Sequence, residues 1–578
     1  MIRPGIRAAA ASLIILLAFS AGLRAEVKGP LVVSDRWPRC TDLLTWAGDV
    51  FRLEGVETGS ERDRGIALYN WLRLFNRLCE GTGGMSQAFE GPWGEEGYVL
   101  DVHKNLFVYG WGYCDTHSRI AEALWQEYTG DSLAADRVVC MHAGGGYHTM
   151  YRLRLDGRYG AFDARYSYYL LEKDTPDARI LDWDGVGQDR NVYANLKYEN
   201  RCRPFFEFPH REFSRALWVK PRTVFKSEAA WRAAGAEPEE VFRDRSYKMG
   251  TKYHDMRFSL YRGMSIERYW DNRMKKWYVP QNKKDMFLPE GRFYRVGASM
   301  VGADGEKNDP NWPRIKPYVT RVPDGLGYPA YLEGDLSLGQ AWGVITYRPD
   351  LGRGDLTEAL LDGGQGLVSA GTAPFIRPEA EGAEGEWVLE FYSPYILVDG
   401  FIRGELMGTG QDRLEVAFRS QAPKPLNLSQ EDRWLDWRVL ADKPGKFRVS
   451  LDRADAAEGK SSFHGTYRYQ VRLRFSAASE ADGAGLINFG LAAFFENGIM
   501  AIPQIFAGDN TVRFMVDDPA QVKSDILVTY KWQDDRGEGE KSHRKRLTPP
   551  MFSRDNQAVY TISAPGLVRC SSVTVSYP

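Results

Sequence analysis

The chain has 578 residues, of which 43% are hydrophobic and 26% charged, and its formal net charge is −2. That length calls for several domains and that composition for folded ones. The near-neutral balance excludes a strongly basic nucleic-acid binder, and six cysteines are too few for a disulfide-built scaffold of this size.

Residues 1–25 read MIRPGIRAAAASLIILLAFSAGLRA. Arg3 and Arg7 precede an apolar stretch over 8–19, and Ala25 is a small residue suited to cleavage. The stretch is shorter than the roughly 20 residues a spanning helix needs. A cleaved signal peptide and a secreted or periplasmic protein are therefore expected. No second long apolar run follows, so an integral membrane protein is not. Export permits disulfides among Cys40, Cys79, Cys114, Cys140, Cys202 and Cys570. No C-x-x-C pair occurs, which removes zinc-knuckle and thioredoxin-like readings. If one cysteine is a nucleophile, at least one other is left unpaired within the chain.

Ile66, Leu68, Leu72, Leu74, Phe75 and Leu78 recur at helical spacing and predict an amphipathic helix over 61–79. A second helix is predicted after Cys114 from Ile120, Ala121, Leu124, Trp125 and Tyr128, with Gly130 as its stop. Gly110 and Gly112 permit an unusual backbone path just before it. Cys114 is thus expected at a helix N-terminus, where the dipole and free N–H groups favour a thiolate and can hold an oxyanion. Trp111 and Tyr113 flank it as candidate substrate-cleft residues; for these and Tyr109, packing beneath the helix start is the other reading.

Asp156-Gly157, between two strand-like runs, predicts a two-residue hairpin. Its register sets Leu155 against Arg158, Met150 against Asp163 and His148 against Arg165. His148 and Asp163 then share a face as diagonal neighbours about 7–8 Å apart at the backbone. Tyr151, Leu153, Leu155 and Phe162 fall on the opposite face, expected to be core. Met150, Arg152, Arg154 and Tyr159 accompany His148 and Asp163 on a face expected to be site or solvent. A nucleophile at a helix start followed by a base and its orienter on adjacent strands is a coherent catalytic set: Cys114, His148, Asp163.

Other groups read more plainly. His142 rivals His148 but lacks the hairpin link to Asp163. His117 is expected to be a partly exposed helix residue and Cys140 a buried strand cysteine. Asp182, Asp184 and Asp189 in DWDGVGQD offer carboxylates at short spacing, but the run misses the EF-hand pattern and reads as a turn. His103, His142 and His148 lack metal-ligand spacing, so no metal and no other cofactor is expected. The run His543, Arg544, Lys545, Arg546 is expected to be a solvated loop.

Residues 204–345 mix aromatics with alternation, as in Met256, Phe258 and Leu260, broken by loops such as GADGEKNDPNWPRIKP. GTAPFIRPEAEGAEGE, ending at Glu386, reads as a linker. Beyond it, period-2 alternation recurs in Leu414, Val416, Phe418; in Phe447, Val449, Leu451; in Tyr467, Tyr469, Val471, Leu473, Phe475; and in Ile526, Val528, Tyr530, Trp532. Such repetition predicts antiparallel strands in a β-sandwich.

The order Cys, His, Asp, with G-x-C opening a helix and H…DG-x-x…D on a hairpin, resembles the transglutaminase-like superfamily of papain-like cysteine enzymes. The resemblance covers about residues 60–175, including the upstream helix and DVHKNLFVYGWGYC. Thr149 departs from the aromatic residue that many members carry after the histidine. The resemblance implies an α+β transglutaminase-like (papain-like) domain over 26–203, with Cys114 as nucleophile, His148 as base and Asp163 as third member. A β-rich middle region with its linker would occupy 204–386, and a C-terminal antiparallel β-sandwich 387–578. The implied chemistry is attack on an amide or peptide bond of a protein or peptide substrate through a thioester, with hydrolysis and acyl transfer both open. The alternative is a non-catalytic adhesion protein whose C-terminal region binds a cell-surface glycan.

Overall fold

A computed structural model of the chain describes residues 26–75, 77–78, 101–109, 111–112, 114–141, 147–163, 168–173, 175, 177–182, 193–194, 253–270, 273, 340–422, 433–537, 539–552 and 555–578. Residues 1–25, expected from the sequence to be a signal peptide, and Cys79 and Cys202 lie outside these residues.

Alternation along the C-terminal half does what period 2 dictates. Leu414, Val416 and Phe418 are buried, as are Tyr469, Val471, Leu473 and Phe475, and Ile526, Val528, Tyr530 and Trp532. These strands form several antiparallel sheets. One is ten-stranded, and in it Met264–Tyr269 runs between Gln340–Tyr347 and Leu567–Tyr577. Leu567–Tyr577 pairs onward with Ile526–Asp534, and Gln340–Tyr347 with Gly485–Gly498. The sheet therefore draws strands from both sides of residue 386.

A four-stranded sheet, Glu384–Tyr392, Arg468–Ser476, Arg413–Ser420 and Arg438–Ala441 in spatial order, packs on it through aromatic rings. Phe391 stacks on Tyr469 at 5.1 Å and meets Tyr347 edge-on at 5.3 Å. Each such side chain, fully buried, contributes on the order of 2 kcal/mol. On the outer side, cross-strand charges pair, Arg472 with Glu415 and Arg474 with Glu386.

Two sequence expectations change here. Residues 371–386 are not a linker: Ile376–Pro378 is a strand between Leu367–Ser369 and Gly485–Gly498, with Ile376 wholly buried. The basic run at His543 is not a loop but part of the edge strand Glu540–Leu547, paired with Ile526–Asp534. Arg544 and Arg546, exposed at alternate positions of this edge, discourage strand addition by another chain.

The N-terminal part is a five-stranded antiparallel sheet, Ala135–Met141, Tyr147–Leu155, Arg158–Asp163, Tyr168–Leu171 and Tyr193–Ala194, packed with three helices. Helix α1, Leu43–Glu54, is capped by Asp42, which accepts from the Thr45 N–H at 2.8 Å, and ends at Gly55 with φ 69°. Helix α2 spans Glu61–Phe75, shorter than expected, because Arg77–Leu78 pairs in parallel with Trp111–Gly112 instead of continuing the helix. At its start Ser60 Oγ accepts from the Asp63 N–H at 3.2 Å and the Ser60 hydroxyl donates to Asp63 Oδ2 at 2.8 Å. Helix α3, Cys114–Thr129, lies between α1, α2 and the sheet, and its residues 116–126 are buried all round.

The two ends of the chain are woven together. Val27 pairs with Leu260, and Leu31–Ser34 joins Gly508–Met515 and Gln557–Ala564 in a three-stranded sheet.

Candidate active site

Cys114 is the first residue of α3, as its flanking glycines and downstream periodicity predict. His148 lies on Tyr147–Leu155, the strand against which α3 packs, and Asp163 ends the adjacent strand Arg158–Asp163. The turn between those strands is type I′: Asp156 and Gly157 have φ 50° and 84°. Leu155 pairs with Arg158 and Tyr151 with Phe162, the predicted register. The turn is also tied to α2. The Asp156 N–H donates to Glu61 Oε2 at 2.6 Å, and Asp156 Oδ1 accepts from the Glu61 N–H at 3.2 Å.

The side chains of Cys114, Trp111, His148 and Asp163, and residues Tyr113 and His142 entire, lie outside the described residues. The register adds one neighbour that periodicity did not single out. Cys140 is directly opposite His148 on Ala135–Met141. The signal for it was the antiparallel pairing of the strands before and after His142, which one hairpin turn alone does not specify.

The segment leading into the site, Lys104–Tyr109, is a turn of π-helix, and every residue of it is buried. Tyr109 packs in the interior rather than lining a cleft, and its hydroxyl meets that of Tyr467 at 3.2 Å. The Lys104 ammonium sits 4.4 Å from the Tyr467 ring centre. His103 Nδ1 bonds the His254 carbonyl at 2.9 Å, and Asp101 accepts from the His254 N–H at 2.7 Å. The approach to Cys114 is thus clamped by residues far along the chain.

Charge within the helix layer is paired. Glu122 on α3 faces Arg137 at 2.7 Å, both largely buried. Burial pushes the Glu122 carboxyl up, against the pull of Arg137. On the sheet, Arg152 lies between Asp136 at 2.9 Å and Asp182 at 3.1 Å, beneath the Tyr159 ring at 4.2 Å. Asp182 is therefore an ion-pair partner rather than a turn carboxylate, while Asp184 and Asp189 lie outside the described residues. The face expected to be site or solvent is covered at this end: Met150 is 1% exposed and Arg152 8%. His117 is likewise buried, at 1%, because α3 is enclosed on every side. Among the described residues no group of His, Cys, Asp and Glu is arranged to hold a metal ion, and no described helix is long and apolar enough to cross a membrane.

No family model matches the chain, and no curated protein matches it. Among solved structures it is similar to a putative β-galactosidase from Bacteroides fragilis, at 12% identity over 34% of this chain and 28% of that one, with a TM-score of 0.11. It is also similar to the pilus backbone of Streptococcus pneumoniae, at 9% identity over 34% and 44% of the two chains, with a TM-score of 0.09. The chain thus spans less than half of either. Likenesses of this size bear on neither fold nor function.

Proposed function

We propose that the protein is an exported cysteine enzyme of the transglutaminase-like type, with a papain-like α+β domain around Cys114 and the C-terminal sheets arranged as a β-sandwich. The observation that carries the reading is the arrangement of three adjacent elements. Cys114 opens a helix, that helix packs on the strand of His148, and the hairpin partner of that strand ends at Asp163.

In this mechanism His148 takes the Cys114 proton, and the thiolate attacks the carbonyl carbon of an amide. The oxyanion is held by free N–H groups at the start of α3. His148 returns the proton to the leaving nitrogen, the C–N bond breaks, and a thioester remains. Asp163 fixes the imidazole tautomer and stabilises its charged form. Water or an amine then attacks the thioester, and His148 again moves the proton. Wild type and Cys114→Ala are compared on a peptide library, with and without a primary amine. Cys114-dependent release without amine incorporation means hydrolysis, and incorporation means transfer. No turnover and no labelling of Cys114 by an acyl probe would sink the proposal.

A second reading, glycan binding without catalysis, has its own observation. Trp434 and Trp437, both half-buried, hold the Arg419 guanidinium 5.0 and 4.4 Å from their ring centres. Sugar binding retained by Cys114→Ala and lost in Trp437→Ala would favour it.

A further inference from the structure

Residues 500–506, MAIPQIF, cross one face of the ten-stranded sheet as a strap of mostly irregular backbone. Side chains from distant segments hold its carbonyls. The Trp37 indole donates to Met500 O at 2.7 Å, Arg268 Nη1 to Ala501 O at 3.1 Å, and the Tyr530 hydroxyl to Pro503 O at 3.1 Å. The Cys570 thiol donates to Ile505 O at 3.3 Å. Beneath the strap is a cavity of about 220 Å³, reached by Val32, Trp37, Cys40, Met256, Arg268 and Met500.

Arg268 is 4% exposed, and its charge is unanswered. Both of its hydrogen bonds leave from Nη1, to Ala501 O and to the Tyr395 hydroxyl at 3.1 Å. Nε is buried with no acceptor. The Nε/Nη2 edge, which matches a carboxylate in two parallel bonds, therefore has no protein partner among the described residues. Nor does Arg268 have an ion pair among the described residues. Glu496, the buried acid nearby in register, is opposite Trp342, one residue off the Gly343 that pairs with Arg268, and so falls on the other face of the sheet. Asp517, the acid on the cavity wall, sits against Gly29. The Cys40 thiol donates to Met500 O at 3.2 Å and is held neutral. The other two arginines of the wall, Arg39 and Arg257, are engaged by Asp49 and Asp255.

A buried guanidinium without a counter-charge is costly, and removing one partner of a buried pair usually leaves such a state. Here the missing partner has a cavity to occupy. We propose that this cavity binds a small monocarboxylate, its carboxylate on Nη2 of Arg268 and its apolar remainder against Val32, Trp37, Met256 and Met500. One unpaired cation matches one negative charge, and the apolar walls match a carbon tail rather than a phosphate.

The experiment is thermal unfolding and calorimetric titration of the full chain with acetate, butyrate and benzoate, with inorganic phosphate alongside, in a zwitterionic buffer. Expected are single-site binding, a rise in Tm that grows with the apolar tail, and little response to phosphate. Arg268→Met should weaken binding by at least about tenfold, and Arg268→Lys by less, since an ammonium keeps the positive charge. Val32→Phe fills the cavity while leaving Arg268 in place, and should also abolish binding, so the result stands if Arg268→Met does not fold. No carboxylate binding to wild type, binding to Arg268→Met and Val32→Phe as tight as to wild type, or preference for phosphate overturns the proposal.

Discussion

The hydroxyls of Tyr109 and Tyr467 meet at 3.2 Å across 358 residues of sequence. This bond ties the segment that delivers Cys114 to the residue just before strand Arg468–Ser476 in the C-terminal half, and Lys104 reinforces it over the same Tyr467 ring. Position at the candidate nucleophile is thus set by contacts that no local sequence pattern contains.

A double-mutant cycle measures that tie. Tyr109→Phe and Tyr467→Phe should each lower stability by about 1 kcal/mol, the usual net worth of a buried hydrogen bond. Because both remove the same bond, the double variant should cost clearly less than the two together. Urea unfolding of the four proteins reads this directly, and strict additivity would mean the hydroxyls do not interact.

The hairpin at Asp156-Gly157 carries its own test. Gly157 has φ 84° with open space where a Cβ would stand, so the cost of a side chain there is backbone strain alone. Gly157→Ala should destabilise by about 1 kcal/mol and Gly157→Val by more, since β-branched residues tolerate positive φ least. Gly130, which ends α3 at φ 67° with similar open space, should respond to Ala alike. Equal stability of Gly157→Val and wild type by urea titration would contradict the turn type.

That hairpin was legible because its turn chemistry and its period are both local. The same holds for the C-terminal strands, where buried and exposed residues alternate as the sequence does. What escaped was set at a distance. Helix α2 stops at Phe75 because Arg77–Leu78 finds Trp111–Gly112. The supposed linker is a strand because Ile376 meets Leu486. His117 has the polarity of a surface residue, yet α1, α2 and the sheet enclose it. Arg268 shares the buried face of Met264 and Ile266, and only the strap at 500–506 shows what holds a charged residue there.

His254 gives the fold a pH dependence of known sign. Burial first, then the nearby Lys104 charge, lowers its pKa from 6.5 to about 4. The unfolded chain binds this proton more readily, so stability falls as pH drops through 6.5 and the loss is complete near 4. A shift of that size corresponds to roughly 3 kcal/mol. Urea unfolding at pH 7 and pH 4.5 should show a larger loss for wild type than for His254→Gln. An identical loss in both would assign the acid sensitivity elsewhere.

The buried pair Glu122–Arg137 should be sensitive to loss of either partner. Glu122→Ala leaves the Arg137 charge in the helix–sheet interior and should destabilise by about 3 kcal/mol. Replacing both residues with leucine should recover much of that, because two apolar side chains incur no desolvation cost there. Thermal unfolding of single and double variants distinguishes this from a purely steric effect, which the double variant would not relieve.

The cysteines separate the proposed nucleophile from its bystanders. Neither Cys40 nor Cys570 is in a disulfide. Cys570 is fully buried, and burial pushes the Cys40 thiol well up, with Asp49 adding to the rise. Cys40 should therefore be mostly thiol at neutral pH, and Cys570 shielded by burial, so both should be slow toward a soft electrophile. A residue opening α3 gains the opposite bias from the helix dipole. Brief treatment of the native chain with iodoacetamide, followed by peptide mapping, should label Cys114 well ahead of Cys40 and Cys570. In denaturant the three rates should converge. If Cys40 labels first in the native state, the thiolate claimed for Cys114 is wrong.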